Sequence, residues 1–174
     1  MGSIRDEIKQ TRPFASLSEE GVVTLLRTAD HVRAALAAVA EPRGITLQQY
    51  NVLRILRGAG EAGLPTLEIA TRMIEASPGI TRLLDRLEAK QLVRRERCPR
   101  DRRQVLCHAT PLALRALDAL TPQLARAAVH ALSPLRPPRL RELIRLLDTI
   151  RAAKPSSKKP GNKSEVRSQK ETDA

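Results

Sequence analysis

The sequence predicts a mainly α-helical chain with a small β-wing, and three observations carry that prediction. Aliphatic residues recur at helical spacing along most of the 174 residues. Phe14 and Tyr50 are the only aromatics, so the core must be built from Leu, Ala, Ile and Val on helix faces, without the aromatic enrichment typical of strands. Residues 92–96 and 104–108 alternate at period two and are joined by an arginine-rich loop, 97–103. The stretch 64–109 therefore reads helix, turn, helix, strand, loop, strand. The long apolar helices on either side read as scaffolding for it.

Taken in order, residues 1–16 are aperiodic, with a short helical piece around Ile4 to Ile8. Ser18-Glu19-Glu20 reads as a helix start, followed by a stripe of Val22, Leu25, Leu26, Ala29, Val32, Leu36 and Val39. Few polar residues interrupt that stripe, so it is expected to pack on something large. Glu41-Pro42-Arg43-Gly44 ends the helix, with Gly44 suited to a left-handed backbone. Thr46 and Gln49 have the spacing of a reciprocal capping box, and Tyr50, Leu53, Ile55 and Leu56 form the buried side of the helix they open. A third helix is expected over 67–74, capped by Thr66, with Leu67, Ile69 and Ala70 inward. Ser77 then caps a fourth, with Pro78 at the first helical position, where a missing N–H costs nothing. Its core stripe is Ile80, Leu83, Leu84 and Leu87. Its other face carries Thr81, Arg82, Asp85, Arg86 and Glu88. Thr110-Pro111 starts a further helix by the same logic, and Pro122 inside it implies a kink or two abutting helices. The prolines of 133–138 form a stiff break before a last helix carrying Leu140, Leu143, Ile144, Leu146, Leu147 and Ile150. Beyond Ala153 the composition is that of a disordered basic tail.

Charge narrows the partner. Lys and Arg number 31 against 19 Asp and Glu, a formal net of +12, which favours a polyanion. Residues 94–103 alone hold six arginines against one Glu and one Asp, a local net of +4. No run of about 18 apolar residues could span a bilayer and no signal peptide is present, so a cytoplasmic location and no membrane partner are expected. Cys98 and Cys107 are too few for a disulfide framework, and with three histidines a closed zinc site is not expected. They read as reduced thiols, Cys107 semi-buried, although a hairpin could bring them face to face. No carboxylate pair, nucleophile–base pair or phosphate-cradling loop stands in a supportive context; 58–63 lacks the lysine a phosphate loop needs. Neither catalysis nor a cofactor is expected.

Two helices joined by a tight turn place the second in a DNA major groove, where side chains reach base edges. Ser77 and the free N–H groups behind Pro78 and Gly79 would meet phosphate. Thr81, Arg82 and Arg86 are the candidate contacts from the helix, Arg82 foremost. Arg100, Arg102 and Arg103 on the wing would reach phosphates or a narrow minor groove. Asp101, a carboxylate on a DNA-facing loop, makes sense as a brace for a neighbouring arginine, Arg103. The competing reading is a protein-interaction or nonspecific architectural DNA-binding module.

The run Ser77-Pro78-Gly79-Ile80-Thr81-Arg82-Leu83-Leu84-Asp85-Arg86-Leu87-Glu88-Ala89-Lys90, then Leu92-Val93-Arg94-Arg95, Asp101-Arg102-Arg103 and Thr110-Pro111, resembles the winged helix-turn-helix of the multiple antibiotic resistance regulator (MarR) family. Gly44-Ile45-Thr46-Leu47-Gln48-Gln49-Tyr50 is similar to the family's entry into its second helix. The likeness spans roughly 25–150. It implies a winged helix-turn-helix flanked by N- and C-terminal dimerisation helices: an extension over 1–17, helical dimerisation segments 18–43 and 110–152, a DNA-binding domain over 44–109, and a tail over 153–174. It further implies a homodimeric repressor on a palindromic double-stranded DNA site, released by a small-molecule effector, with His31, Arg33 and Tyr50 the candidates for the effector pocket. The sequence departs from the family pattern at Gln91, where glycine is usual, at Leu112-Ala113 in place of Lys-Gly, and in the proline cluster.

Overall fold

The structure, a computed structural model, describes residues 2–75, 78–98, 101 and 104–153. Its elements are α1 (Ile4–Glu7), α2 (Leu17–Ala40), α3 (Leu47–Ala59), β1 (Leu64–Pro65), α4 (Thr66–Arg72), α5 (Ile80–Ala89), β2 (Val93–Arg97), β3 (Val105–Ala109), α6 (Pro111–Ala131) and α7 (Pro137–Ala152). Helix dominates, around one small antiparallel sheet of order β1-β3-β2. Residues up to Pro134 form one compact unit, and those from Leu135 a second, whose described part is α7. The expected basic tail over 154–174 lies outside the described residues.

Caps explain most boundaries. Ser16, not Ser18, starts α2: its backbone is extended and its Oγ accepts from Glu19 N at 3.1 Å, whereas Ser18 is already helical. Gly44 ends the 3-10 turn after α2 at φ 71°, in the left-handed region as expected. The Thr46–Gln49 box forms in both directions at 3.2 Å. Thr110 Oγ1 caps α6, accepting from Ala113 N, with Pro111 at the first helical position. α6 continues as a single helix through Pro122; Gln123 Nε2 donates to the Ala119 carbonyl at 2.8 Å in the turn the proline crowds.

The structure corrects several expectations within 64–109. β1 was not foreseen, because two residues cannot show alternation. It pairs Leu64 with Cys107 and Pro65 with Leu106, the proline standing on an edge strand where its missing N–H is tolerated. α4 is shorter than 67–74: Thr66 is its first residue rather than its cap, and the chain turns extended at Met73. Leu67 and Ile74, expected inward and at the helix end, are both exposed, and of that stripe Ile69 is fully buried. α5 starts at Ile80, so Pro78 is not at its first position. Pro78 and Gly79 form a turn, and the first helical bond runs from Leu83 N to the Gly79 carbonyl. Ser77 lies outside the described residues. Both wing strands begin one residue later than read, in the register Val93–Ala109 through Arg97–Val105.

The core lies beneath α5. Leu83, Leu84 and Leu87 pack into one buried cluster with Val52, Leu53 and Leu56 of α3, Ile69, Val93, Cys107, and Leu117 and Leu120 of α6. Gly63, at φ 62° and ψ −177°, leads into β1 where the His108 ring closes over it. A Cβ there would stand 2.4 Å from His108 Cε1, so the position admits only glycine. On the surface of α2, Leu17, Val22 and Leu26 remain mostly exposed; on α7, so do Ile144, Leu146 and Ile150.

The turn from α5 into the wing is closed by a residue other than glycine. Gln91 has φ 57°; its N–H donates to the Glu88 carbonyl, and Leu92 N donates to the Leu87 carbonyl at 2.9 Å. These are the two bonds of a Schellman stop, normally built on glycine. Thr110 Oγ1 locks it by donating to the Gln91 carbonyl at 2.7 Å. A side chain in this conformation costs about 1 kcal/mol. Replacing Gln91 with Gly should therefore stabilise the fold by about that amount, less the added chain entropy. The urea midpoint should rise at constant slope; a fall would show that the glutamine side chain contributes more than its strain.

Candidate nucleic-acid interface

α5 is amphipathic in the way a reading helix requires. Its three buried leucines hold one side to the core, and the 3.6-residue repeat turns Thr81, Arg82, Asp85, Arg86 and Glu88 to solvent. Pro78 is exposed and Gly79 half-buried in the turn before it. Fixed points surround the helix. At its C-terminal end Lys90 Nζ donates to the Gly44 carbonyl and to Gln49 Oε1 (3.1 Å), so the buried capping-box glutamine of α3 also anchors α5. Ahead of it, Ile74 N donates to Asn51 Oδ1 at 2.9 Å, and Arg33 Nε of α2 donates to Glu75 Oε1 at 2.8 Å. The α4–α5 turn is thus tied to both α3 and α2.

The wing supplies the lateral contact. Arg95 of β2 points to the same side of the sheet as Val93 and its partner Cys107, toward α5. Its Nη1 lies 2.7 Å from Asp85 Oδ1 and 3.6 Å from Glu88 Oε2, and Nη2 donates to the Thr81 carbonyl at 3.3 Å. Burial opposes its charge, but the Asp85 hydrogen bond and the nearby Glu88 and Asp85 charges outweigh that and raise its pKa. On the other side of the sheet Arg94 pairs with Glu96. His108, nearly fully buried, brings Nε2 within 2.9 Å of Glu96 Oε1, a close contact off the line a hydrogen bond needs. Asp101 braces the loop through Gln104: its carbonyl accepts from Gln104 N, and Oδ2 accepts from Gln104 Nε2 at 3.1 Å. Arg100, Arg102 and Arg103 lie outside the described residues.

The three candidate pocket residues have different surroundings. His31 is exposed on α2, and Arg33 is held by Asp30 and Glu75. Tyr50 is buried, with its hydroxyl 3.1 Å from Thr121 Oγ1 and its ring under the Arg54 guanidinium. None of the three lines the open cleft of about 260 Å³ between the end of α3, the wing and the start of α6, which is walled by Leu56, Arg57, Arg94, His108 and Leu114. Among the described residues no group of three or more His, Cys, Asp or Glu is placed to hold a metal ion. No helix of the described residues is long and apolar enough to cross a membrane.

A family model described as the MarR family matches residues 45–105. The uncharacterized HTH-type transcriptional regulator YkoM of Bacillus subtilis (strain 168) is 31% identical over 108 residues, 62% of this chain and 69% of that protein. The crystal structure of a MarR transcription factor from Planctomyces limnophilus is 37% identical, covers 79% of this chain and 99% of its own, and superposes with a TM-score of 0.61. The chain belongs to the MarR family. Its relatives are transcription regulators rather than enzymes, and the match to the family model runs from just before α3 into β3. CouR of Rhodococcus jostii RHA1, solved bound to p-coumaroyl-CoA, is 25% identical, covers 81% of this chain and 98% of its own, with a TM-score of 0.66.

Sequence reading missed Arg95, Lys90 and the Arg33–Glu75 tie. A signal for Arg95 was present: at period two it shares the inward side with Val93, and an arginine in an inward register calls for carboxylate partners. The cysteines do not face each other, since Cys107 pairs with Arg95 and Leu64 while Cys98 N bonds the Gln104 carbonyl. Cys107 is fully buried rather than semi-buried. Burial pushes its thiol pKa up, against weaker opposing effects of Thr66 and Arg95. A group with raised pKa stays protonated until the pH passes that value, so Cys107 should remain an unreactive thiol at pH 8. Mass spectrometry after native iodoacetamide treatment should find Cys98 alkylated and Cys107 intact until urea is added. Equal labelling of both would refute the burial argument.

Proposed function

We propose that this chain is a homodimeric repressor that reads a palindromic operator and is released by a small-molecule effector. The observation that supports it most is the outer face of α5, where Thr81, Arg82 and Arg86 stand exposed opposite three buried leucines and beside a basic wing. In this reading Ser77, Pro78 and Gly79 approach the phosphate backbone, Thr81, Arg82 and Arg86 enter the major groove, and Arg100, Arg102 and Arg103 contact the flanking backbone, with Asp101 as the brace of Arg103. DNA binding resides in 44–109 and dimerisation in 18–43 and 110–152, with 1–17 and 153–174 as extension and tail. A second copy would cover the aliphatic residues that α2 and α7 leave exposed. CouR, bound to an acyl-CoA thioester, motivates the effector. His31, Arg33 and Tyr50 are its candidate contacts, Arg33 because its ion pair reaches the turn before α5. The regulator acts on DNA in the cytoplasm.

Selection of bound sites from random duplex DNA tests this directly. The expected product is an inverted repeat with half-sites about one helical turn apart, or a multiple of that. Enrichment of a single half-site, or of nothing above background, would favour the architectural alternative. On the selected site Arg82→Ala should lose about 1–3 kcal/mol of discrimination against scrambled DNA and still sediment as a dimer. Unchanged discrimination would remove Arg82 from the base-reading set.

A further inference from the structure

We infer that Arg95 is the positioning residue of the interface: it sets the angle of α5 about its own axis and offsets part of the charge of the two carboxylates that face carries. Thr81, Asp85 and Glu88 are spaced four and three residues apart, so they follow one line down the helix. Arg95 touches all three, at 3.3, 2.7 and 3.6 Å. One planar guanidinium therefore grips consecutive turns of α5 from the wing, which an ammonium could not reproduce. The grip is itself held from below. Arg95 is the register partner of buried Cys107, whose Sγ lies 3.9 Å from Thr66 Oγ1 at the start of α4, and Arg95 side-chain exposure is 23%.

The electrostatic consequence follows from residue types. From Ile80 to Lys90 the helix carries Arg82, Arg86 and Lys90 against Asp85 and Glu88, and both carboxylates are about half exposed. Unpaired, they would repel the phosphates that Arg82 and Arg86 are to approach. With Arg95 pairing them from the wing, Arg82, Arg86, Lys90 and Arg95 outnumber the two carboxylates, and the face keeps a net positive charge. Arg95 itself need not touch DNA.

This inference rests on α5 being the DNA-reading helix, so its test has one arm with DNA and one without. In the DNA-free arm, amide hydrogen exchange compares Arg95→Met with the wild-type full chain. Amides of 83–89 should exchange at least about tenfold faster while those of 113–124 in α6 are unchanged. Unchanged protection in α5 would overturn the positioning role. In the DNA arm, Arg95→Met should weaken binding to both selected and scrambled duplexes by roughly tenfold or more. Adding Asp85→Asn and Glu88→Gln should restore affinity for scrambled DNA but not preference for the selected site. A merely structural loss would not respond to removal of carboxylates. Arg95→Lys, which keeps the charge on a milder change, should hold scrambled-DNA affinity and lose part of the preference; full preference in the lysine variant would refute the fork argument even if the methionine variant fails to fold. If the wild type itself shows no site preference, the regulator reading fails, and the exchange arm still decides the role of Arg95.

Discussion

Leu83, Leu84 and Leu87 bind α5 to a core assembled from α3, α4, the sheet and α6, and every feature of the interface depends on that burial. Each leucine removed from water contributes about 1.5–3 kcal/mol, several times what an exposed ion pair supplies. The hydrophobic term decides which side of the helix is hidden. Once it is hidden, the helical repeat leaves Thr81, Arg82 and Arg86 no place but the outside. Non-directional burial does not, however, fix the last degrees of rotation about the helix axis.

That finer setting comes from polar contacts arranged around the helix. Lys90 ties its end to the Gly44 carbonyl and Gln49, the Gln91 turn closes it into the wing, and Arg95 grips its flank. Ahead of it, Asn51 and Arg33 hold the turn at Ile74 and Glu75. Several of these ties are half-exposed and individually weak. Their value is geometric, since a reading helix must hold its contacts to within a fraction of an ångström. The Arg33–Glu75 pair also joins α2, whose outer leucines are exposed, to the segment just before α5.

In this chain the winged-helix fold of the MarR family rests on a few constraints, chiefly a buried leucine triplet and a wing strand close enough to lean on the helix. Where this chain departs from the usual pattern, it compensates locally. Gln91 adopts the left-handed turn that glycine would take, and Thr110 donates to its carbonyl to hold it there.

Much of the architecture was legible from residue order alone. Helical stripes, the Thr46–Gln49 box, the left-handed Gly44 and the Thr110-Pro111 start are local signals, each set by neighbours within about four residues. The polar face of α5 was legible for the same reason. What stayed hidden depends on contacts distant in sequence. β1 exists only because β3 offers it an edge, α4 stops early because Met73 turns extended, and α5 begins at Ile80 although Pro78 favours an earlier start. The basic stretch 64–109 thus announced its chemistry in its composition. The inward side of Arg95 was readable from its period-two spacing with Val93; that it meets Asp85, Glu88 and the Thr81 carbonyl was decided only when strand, helix and core came together, because a side chain's role depends on what is packed across from it.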